Sequence, residues 1–171
     1  LEVEHEEQNS FLYFIRYPFE SCVSGKEGLV VATTRPETMF GDTAVAINPD
    51  DDRYQNLQES RVRLPLTNRV IPIIKDSYVD TTFGTGALKV TPAHDPNDFN
   101  LGETHGLERI KVINDDGVMT ELAGEDFRGL DRFECRKKAI KVLEDEGLLI
   151  KSEPLNNSVG HCYRCKTVVE P

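Results

Sequence analysis

A chain of 171 residues with 38% hydrophobic side chains has the length of one ordinary domain and enough apolar material for a core. Its formal net charge of −10, from 20 basic and 30 acidic side chains, argues against a general nucleic-acid binder. No run of about 18 apolar residues occurs, and the opening Leu1-Glu2-Val3-Glu4 is acidic where a secretory signal is basic and then apolar. The expected protein is therefore soluble and cytoplasmic, with no membrane partner.

Glu2, Glu4, Glu6 and Glu7 crowd the first positions and read as a solvated end. Strand signals then follow one another: alternating or β-branched runs lie at 11–17, 29–33, 44–47, 61–66, 70–74, 87–91 and 111–113, most bounded by Gly, Pro, Asn or Asp. Thr67-Asn68-Arg69, between two of these runs, reads as a hairpin turn. A first helix is expected to be capped by Asp95, with Pro96 as its first residue and Asp98 in its first turn, and to end near Gly106. A longer helix is expected over 132–146, with Asp131 as cap, Glu134 completing a capping box and Gly147 as the left-handed stop. Phe133, Ile140 and Leu143 should face the core, leaving Arg136, Lys137, Lys138 and Lys141 on a solvated face. Together these elements predict an α+β fold, a mixed, curved or barrel-like sheet with a few flanking helices. Strand order is not legible at this level.

Three segments are candidates for chemistry, and none is a familiar hydrolase motif. Thr33-Thr34-Arg35-Pro36-Glu37-Thr38 ends an apolar strand with hydroxyls and a guanidinium that can bind a small polar ligand or a phosphate. A capped helical turn would use the same residues, with Pro36 near its first position. Phe83-Gly84-Thr85-Gly86-Ala87-Leu88-Lys89-Val90-Thr91 pairs two glycines, which let a backbone approach a ligand closely but also make ordinary turns. In Thr91-Pro92-Ala93-His94-Asp95-Pro96-Asn97-Asp98, two carboxylates three residues apart can hold an ammonium group and a hydroxyl. They can equally cap a helix and oppose its dipole.

Of four cysteines, Cys22 and Cys135 stand alone, and four are too few for a disulfide scaffold of this length. Cys162 and Cys165 form a C-x-x-C after His161, the spacing of half a zinc ribbon, but a closed structural site needs four ligands. The expectation is a half-site whose partner ligands lie outside this chain. The lack of an initiator Met and the stop just after the cysteine pair suggest a piece of a longer protein.

These segments, in this order, resemble the editing domain inserted into the class I aminoacyl-tRNA synthetases for valine, isoleucine and leucine. The resemblance rests on T-T-R-P-E-T followed by G-D-T-A-V-A-I-N-P, on F-G-T-G-A-L-K-V-T-P-A-H-D-P-N-D-F, on G-L-D-R-F and on S-V-G-H-C-Y-R-C-K-T-V-V-E-P. It covers most of residues 29–171. The P-N-D-F continuation and the closing segment look like the valine type; residues 1–28 match no motif.

The resemblance implies an editing domain over 1–157 and a C-terminal arm over 158–171 carrying the C-x-x-C. It implies hydrolysis of threonyl-tRNA(Val) after transfer, in a parent enzyme that joins valine to its tRNA with ATP. The nucleotide-binding signatures of that ligation are missing here. Asp98 would bind the α-ammonium, Asp95 with Thr91 or His94 would read the side-chain hydroxyl, and His94, the one nearby histidine, would act either as a general base or in a structural hydrogen-bonding role. Thr33 and Thr34 belong to the binding wall, Arg35 and Lys89 would steady the terminal adenosine or its phosphate, Phe83 would pack on base or ribose, and Gly84, Thr85, Gly86 and Ala87 would line the acyl end. No cofactor is expected for editing, a structural zinc is conceivable in the full-length enzyme, and the partners are the tRNA(Val) 3′ end and the remaining synthetase domains. The competing readings are a leucyl or isoleucyl editing domain, a non-catalytic tRNA-docking module held by a zinc ribbon, and a zinc hydrolase using His161, Cys162 and Cys165.

Overall fold

The computed structural model describes residues 3–165 and 167–169, the side chains of 3–9, 157–159 and 162 excepted. Among these described residues, seven strands run in chain order as β1 (Val3–Pro18), β2 (Gly28–Thr33), β3 (Ala44–Ile47), β4 (Arg61–Arg63), β5 (Val70–Lys75), β6 (Ala87–Val90) and β7 (Leu149–Cys162). Two α-helices, α1 (Pro96–His105) and α2 (Arg132–Asp145), and two short 3-10 segments, Pro36–Gly41 and Glu121–Ala123, complete the fold. One sheet has the order β2-β1-β7 and the other β4-β5-β3-β6, with β3 and β5 parallel and the remaining pairs antiparallel. The fold is thus α+β, as expected, with one antiparallel and one mixed sheet. Among the described residues a bridge between Phe19 and Val62 joins the two sheets, and no closed barrel forms.

Strand β1 serves two layers because both of its faces are buried. Leu12 and Phe14 are buried on one face, and Ile15, Tyr17 and Phe19 are buried after the pairing register with β7 shifts between Phe14 and Ile15. The extra residue at that point is Ile150 of β7, and the two buried sets of β1 lie on opposite faces by ordinary strand alternation. Ile15, Tyr17 and Phe19 enter the main core with Leu29 and Val31 of β2, Val45 and Ile47 of β3, and Leu143 of α2. Strand β3 is buried on both faces: Val45 and Ile47 join that core, whereas Ala44 and Ala46 meet Val79, Val90 and Leu101 in a smaller one. The smaller core seats α1 against β6.

Helix α1 matches its sequence signals closely. The Asp95 side chain accepts from the backbone N–H groups of Asn97 and Asp98, Pro96 occupies the first turn, and Gly106 stops the helix in the left-handed conformation at φ 66°. Helix α2 also has its expected cap, Asp131 accepting from the Phe133 N–H at 2.9 Å. Its inner face is only partly the one expected: Leu143 is buried and Ile140 packs partly buried against the core as expected, but Cys135 and Ala139 are the other buried positions and Phe133 is only partly buried. Arg136 is not a solvated charge. Its guanidinium makes two bonds of 2.8 and 2.7 Å to the carboxylate of Glu37, which is fully buried in the 3-10 segment Pro36–Gly41. The other basic groups of the helix have local partners, Lys137 with Glu134, Lys138 with the Asp126 carbonyl and Lys141 with Asp145.

Two strand expectations failed. Residues 111–113 contribute only an Ile113–Met119 bridge, and the long β7 has no apolar alternation to announce it. Its polar run Asn156-Asn157-Ser158 and Pro154 are held in extended form because β1 supplies ladder partners along the whole length, Val3 opposite Cys162 and Ile15 opposite Leu149. The boundary expected after residue 157 falls inside this strand. Among the described residues no helix is long and apolar enough to cross a membrane.

Candidate active site

The three chemistry-bearing segments converge on one cleft with two arms. A smaller arm of about 190 Å³ is lined by Thr33, Thr34 and Arg35 at the end of β2, by Lys89 and Thr91 at the end of β6, and by His94, Asp95 and Asp98 leading into α1. Leu12 and Thr38 complete its floor. A wider arm of about 370 Å³ is lined by Gly84, Thr85, Gly86 and Ala87, with Tyr78 and Asn97 at its edges. Ala32, Phe83, Leu88, Asp95 and Asp98 line both. Every residue expected at the site, apart from the cysteine pair, is therefore gathered here. A larger groove of about 860 Å³ on the far side of Pro92 and Ala93 contains none of the three segments' charged groups.

The carboxylates have distinct environments. Asp95 Oδ1 accepts the Asn97 and Asp98 N–H groups at 2.8 and 3.1 Å, which is the helix cap. Asp98 Oδ2 accepts the Thr91 N–H at 2.9 Å. No donor among the described residues bonds the second oxygen of either side chain. Burial raises the Asp98 pKa from 3.8 to about 6, the Thr91 N–H opposes this, and the Asp95 charge adds to it. Asp98 thus has one oxygen pinned by backbone and, among the described residues, no donor on the other, in a mostly buried place.

Behind the smaller arm lies a buried polar network. Lys89 Nζ donates to the Thr38 and Thr91 hydroxyls at 2.8 and 2.6 Å and sits 2.9 Å from Asp42 Oδ1. The Thr91 hydroxyl donates to Asp42 Oδ1 at 2.6 Å, and the Tyr17 hydroxyl donates to Asp42 Oδ2, also at 2.6 Å. Burial, helped by the neighbouring Asp42, raises the Tyr17 pKa well above the ordinary phenol value, so the ring stays a donor. An ammonium group has three donors, and those of Lys89 are all committed within the protein. A contact from Lys89 to a substrate phosphate, as expected from the sequence, would have to break one of them. Thr91 is committed likewise, donating to Asp42 and accepting from Lys89.

His94 is 1% exposed, and its Nε2 accepts from the Val112 and Ile113 N–H groups at 3.0 and 3.3 Å. That pattern puts the ring proton on Nδ1 and uses the Nε2 lone pair to hold the 110–113 segment. The arrangement favours a structural part for His94 over that of a general base. Arg35 is only partly buried, its Nη1 donating to the His94 carbonyl at 2.9 Å. Its backbone N–H reaches Thr33 Oγ1 at 3.0 Å, and no side chain caps the 3-10 segment that begins at Pro36. Phe83 is 56% exposed at the junction of the two arms. The Thr85 hydroxyl is turned away, bonded to the Val30 carbonyl.

Gly86 is the glycine whose freedom the wall of the cleft requires. It has φ +77°, and a Cβ there would lie 2.3 Å from Arg53 Nη2 and 2.6 Å from Asp51 Oδ2. Gly86→Ala is expected to cost about 1–3 kcal/mol, from left-handed strain and the displaced Arg53–Asp51 pair. Thermal melting at neutral pH checks this; an unchanged midpoint would mean the turn relaxes freely.

The cysteine pair stands apart. The Cys165 thiol is exposed and bonds the Thr167 hydroxyl at 3.2 Å, while the Cys162 side chain lies outside the described residues. No group of three or more metal-ligating side chains occurs among the described residues. Two thiolates do not close a tetrahedral site. Tyr17, Thr38 and Asp42 were not picked out from the sequence as site builders. The available signal was that Thr38 ends the candidate segment T-T-R-P-E-T, whereas Asp42 opens D-T-A-V-A, a segment quoted only for its likeness.

A family profile described as "Leucyl-tRNA synthetase, editing domain" matches residues 57–161, more than half of the chain. The chain belongs to this editing-domain family. Its fold is shared with a leucyl-tRNA synthetase of Agrobacterium radiobacter K84, solved as a ternary complex with tRNA, at TM-score 0.62 and 18% identity over 96% of this chain and 24% of that one. Within the family the chain is homologous to the editing portion of valine–tRNA ligase. It is 58% identical over its whole length to the valine–tRNA ligase of Carboxydothermus hydrogenoformans and 54% identical over 99% of its length to that of Desulfotalea psychrophila. The enzyme of Thermotoga maritima is 52% identical over the same share. The chain spans about 19% of the length of these relatives.

Proposed function

We propose that the chain is the deacylase of a valine–tRNA ligase, hydrolysing the ester that links a misattached threonine to the 3′ end of tRNA(Val). The observation that carries this reading is the pair Asp95 and Asp98: each has one oxygen fixed by backbone N–H, each has its other oxygen without a donor among the described residues, and both line both arms of one cleft. An α-ammonium carries a full positive charge and suits the partly desolvated Asp98. The hydroxyl of threonine suits the remaining oxygen of Asp95, which valine would leave unsatisfied. Such a second site is needed because threonine and valine are nearly isosteric, and the known discrimination of valine enzymes against threonine in the synthetic pocket is only about 100-fold.

The exposed Phe83 is an open face for the terminal base or ribose, and Arg35 is the cationic group nearest the strand end. The ester carbonyl would lie between the arms, attacked by a water held near the carboxylates, the protein supplying orientation and charge stabilisation. We further propose that residues 158–171 form an arm toward the remaining synthetase domains, with the C-x-x-C completing a zinc site only with ligands from there, and that the whole works in the cytoplasm.

Deacylation assays with threonyl-tRNA(Val) and valyl-tRNA(Val), in the chain and in its parent enzyme, test the reading. Threonyl ester should be cleaved at least about 100-fold faster than valyl ester. Chelators should leave the rate unchanged. Equal rates on both esters, or a preference for isoleucyl or leucyl esters on their own tRNAs, would overturn the assignment.

A further inference from the structure

We infer that Asp42, which lines neither arm of the cleft, is a positioning residue of the hydrolytic site, acting through Thr91 and Lys89 on Asp98 and on the Arg35 carbonyl. The inference rests on the editing reading of the cleft. Asp42 follows the 3-10 segment Pro36–Gly41 and is fully buried. Both its carboxylate oxygens are held, Oδ1 by the Thr91 hydroxyl and Lys89, and Oδ2 by the Tyr17 hydroxyl. The Arg69 guanidinium holds its backbone carbonyl at 3.1 Å. From this fixed point two chains of hydrogen bonds lead to the cleft. One passes through Thr91, whose hydroxyl meets Asp42 and whose N–H meets Asp98 Oδ2. The other passes through Lys89 to the Thr38 hydroxyl, which donates to the Arg35 carbonyl at 2.8 Å.

Stability alone does not account for this arrangement. A buried ion pair roughly breaks even against apolar side chains of the same volume, so a core without function could be filled more simply. What directional bonds add is fixed geometry, at the place where β6, the 3-10 segment and the start of α1 meet. Geometry matters in such a site because a misplacement of about 1 Å can cost about 100-fold in rate.

The charged groups acting on Asp98 are Asp95 from the cap of α1, Lys89 from β6 and Asp42, the two carboxylates raising its pKa and Lys89 lowering it. In Asp42→Asn the Lys89 charge is left unopposed, so the titration midpoint of Asp98, followed by carboxyl ¹³C NMR, should move below about 6. Thr91→Val keeps the N–H to Asp98 but severs the link to Asp42, and kcat for threonyl-tRNA deacylation should fall about 10- to 100-fold with KM little changed. Thr91→Ser should restore the rate. An unmoved Asp98 midpoint in folded Asp42→Asn, or wild-type kcat in Thr91→Val, would overturn the inference. If Asp42→Asn does not fold, the two Thr91 variants decide the matter. A wild-type chain and parent enzyme that hydrolyse no threonyl ester would instead overturn the editing reading, while the NMR midpoint still reports whether Asp42 governs Asp98.

Discussion

Asp98→Asn is expected to abolish most threonyl-tRNA deacylation and, at neutral pH, to leave the protein as stable as before or more so. Removing a charged hydrogen bond to the α-ammonium costs roughly 1.5–3 kcal/mol, or about 10- to 150-fold in rate. The stability effect follows from linkage. The Asp98 carboxyl moves from 3.8 to about 6 on folding, so the folded state binds its proton more tightly than the unfolded chain does. Its contribution is favourable at pH below the unfolded value and is lost as pH rises through about 6, leaving the ionised form at a penalty of roughly 3 kcal/mol at neutral pH. Asparagine removes that penalty, can still accept from the Thr91 N–H, and gives up a dipole interaction of about 0.3–1 kcal/mol. A melting temperature raised by a few degrees at pH 7–8 is the expected balance. In the wild type, deacylation should also decline as pH falls through about 6, because the protonated carboxyl no longer holds an ammonium. Melts and single-turnover deacylation of both proteins from pH 5 to 8 test the pair of claims. A variant that edits normally would remove Asp98 from the site, and one that edits poorly but melts far below the wild type would reduce it to a structural residue.

The largest stability effect is expected at Lys89. Lys89→Met has similar length and no charge, so it leaves Asp42 ionised or forced to take a proton inside the core, and strips the Thr38 and Thr91 hydroxyls of a donor. Breaking one half of a buried pair costs about 3–5 kcal/mol. For a domain of this size that corresponds to a fall in melting temperature of about 6–20 °C. The double variant Lys89→Met/Asp42→Leu should recover part of the loss, because no unpaired charge then remains, although the Tyr17 hydroxyl loses its acceptor. Circular-dichroism melts of the two variants decide: a single variant within a few degrees of the wild type, or a double variant that melts lower than the single one, would show that Lys89 is not the counter-charge of Asp42.

Local signals and long-range ones divide cleanly in this protein. Helix α1 was legible from end to end, since Asp95, Pro96 and Gly106 act within a turn of the residues they cap. Strand β3 and the β4–β5 hairpin were legible from short apolar runs and the polar turn between them. Strand β7 was not, because its extended form comes from β1, more than 130 residues away, rather than from its own side chains. The outer face of α2 was misread in part for a related reason. Arg136 looks like a solvent-exposed charge until Glu37, buried 99 residues earlier in the chain, is seen to be its partner.

The sequence by itself singled out Thr33 to Arg35, Phe83 to Ala87 and His94 to Asp98 as candidate segments, because residue type and spacing are local properties. It left open whether Asp98 caps a helix or binds a ligand, since both roles ask for the same carboxylate at the same position. Only the tertiary structure distinguished the groups with bonds to spare from those without. It joined Lys89 to Asp42 and turned His94 Nε2 onto the 110–113 backbone, spending both inward, and it left one oxygen each on Asp95 and Asp98 without a donor among the described residues. The physical reason is that a side chain's remaining hydrogen-bonding capacity is set by what folds against it, and its partners at this site come from strands and turns far apart in the chain.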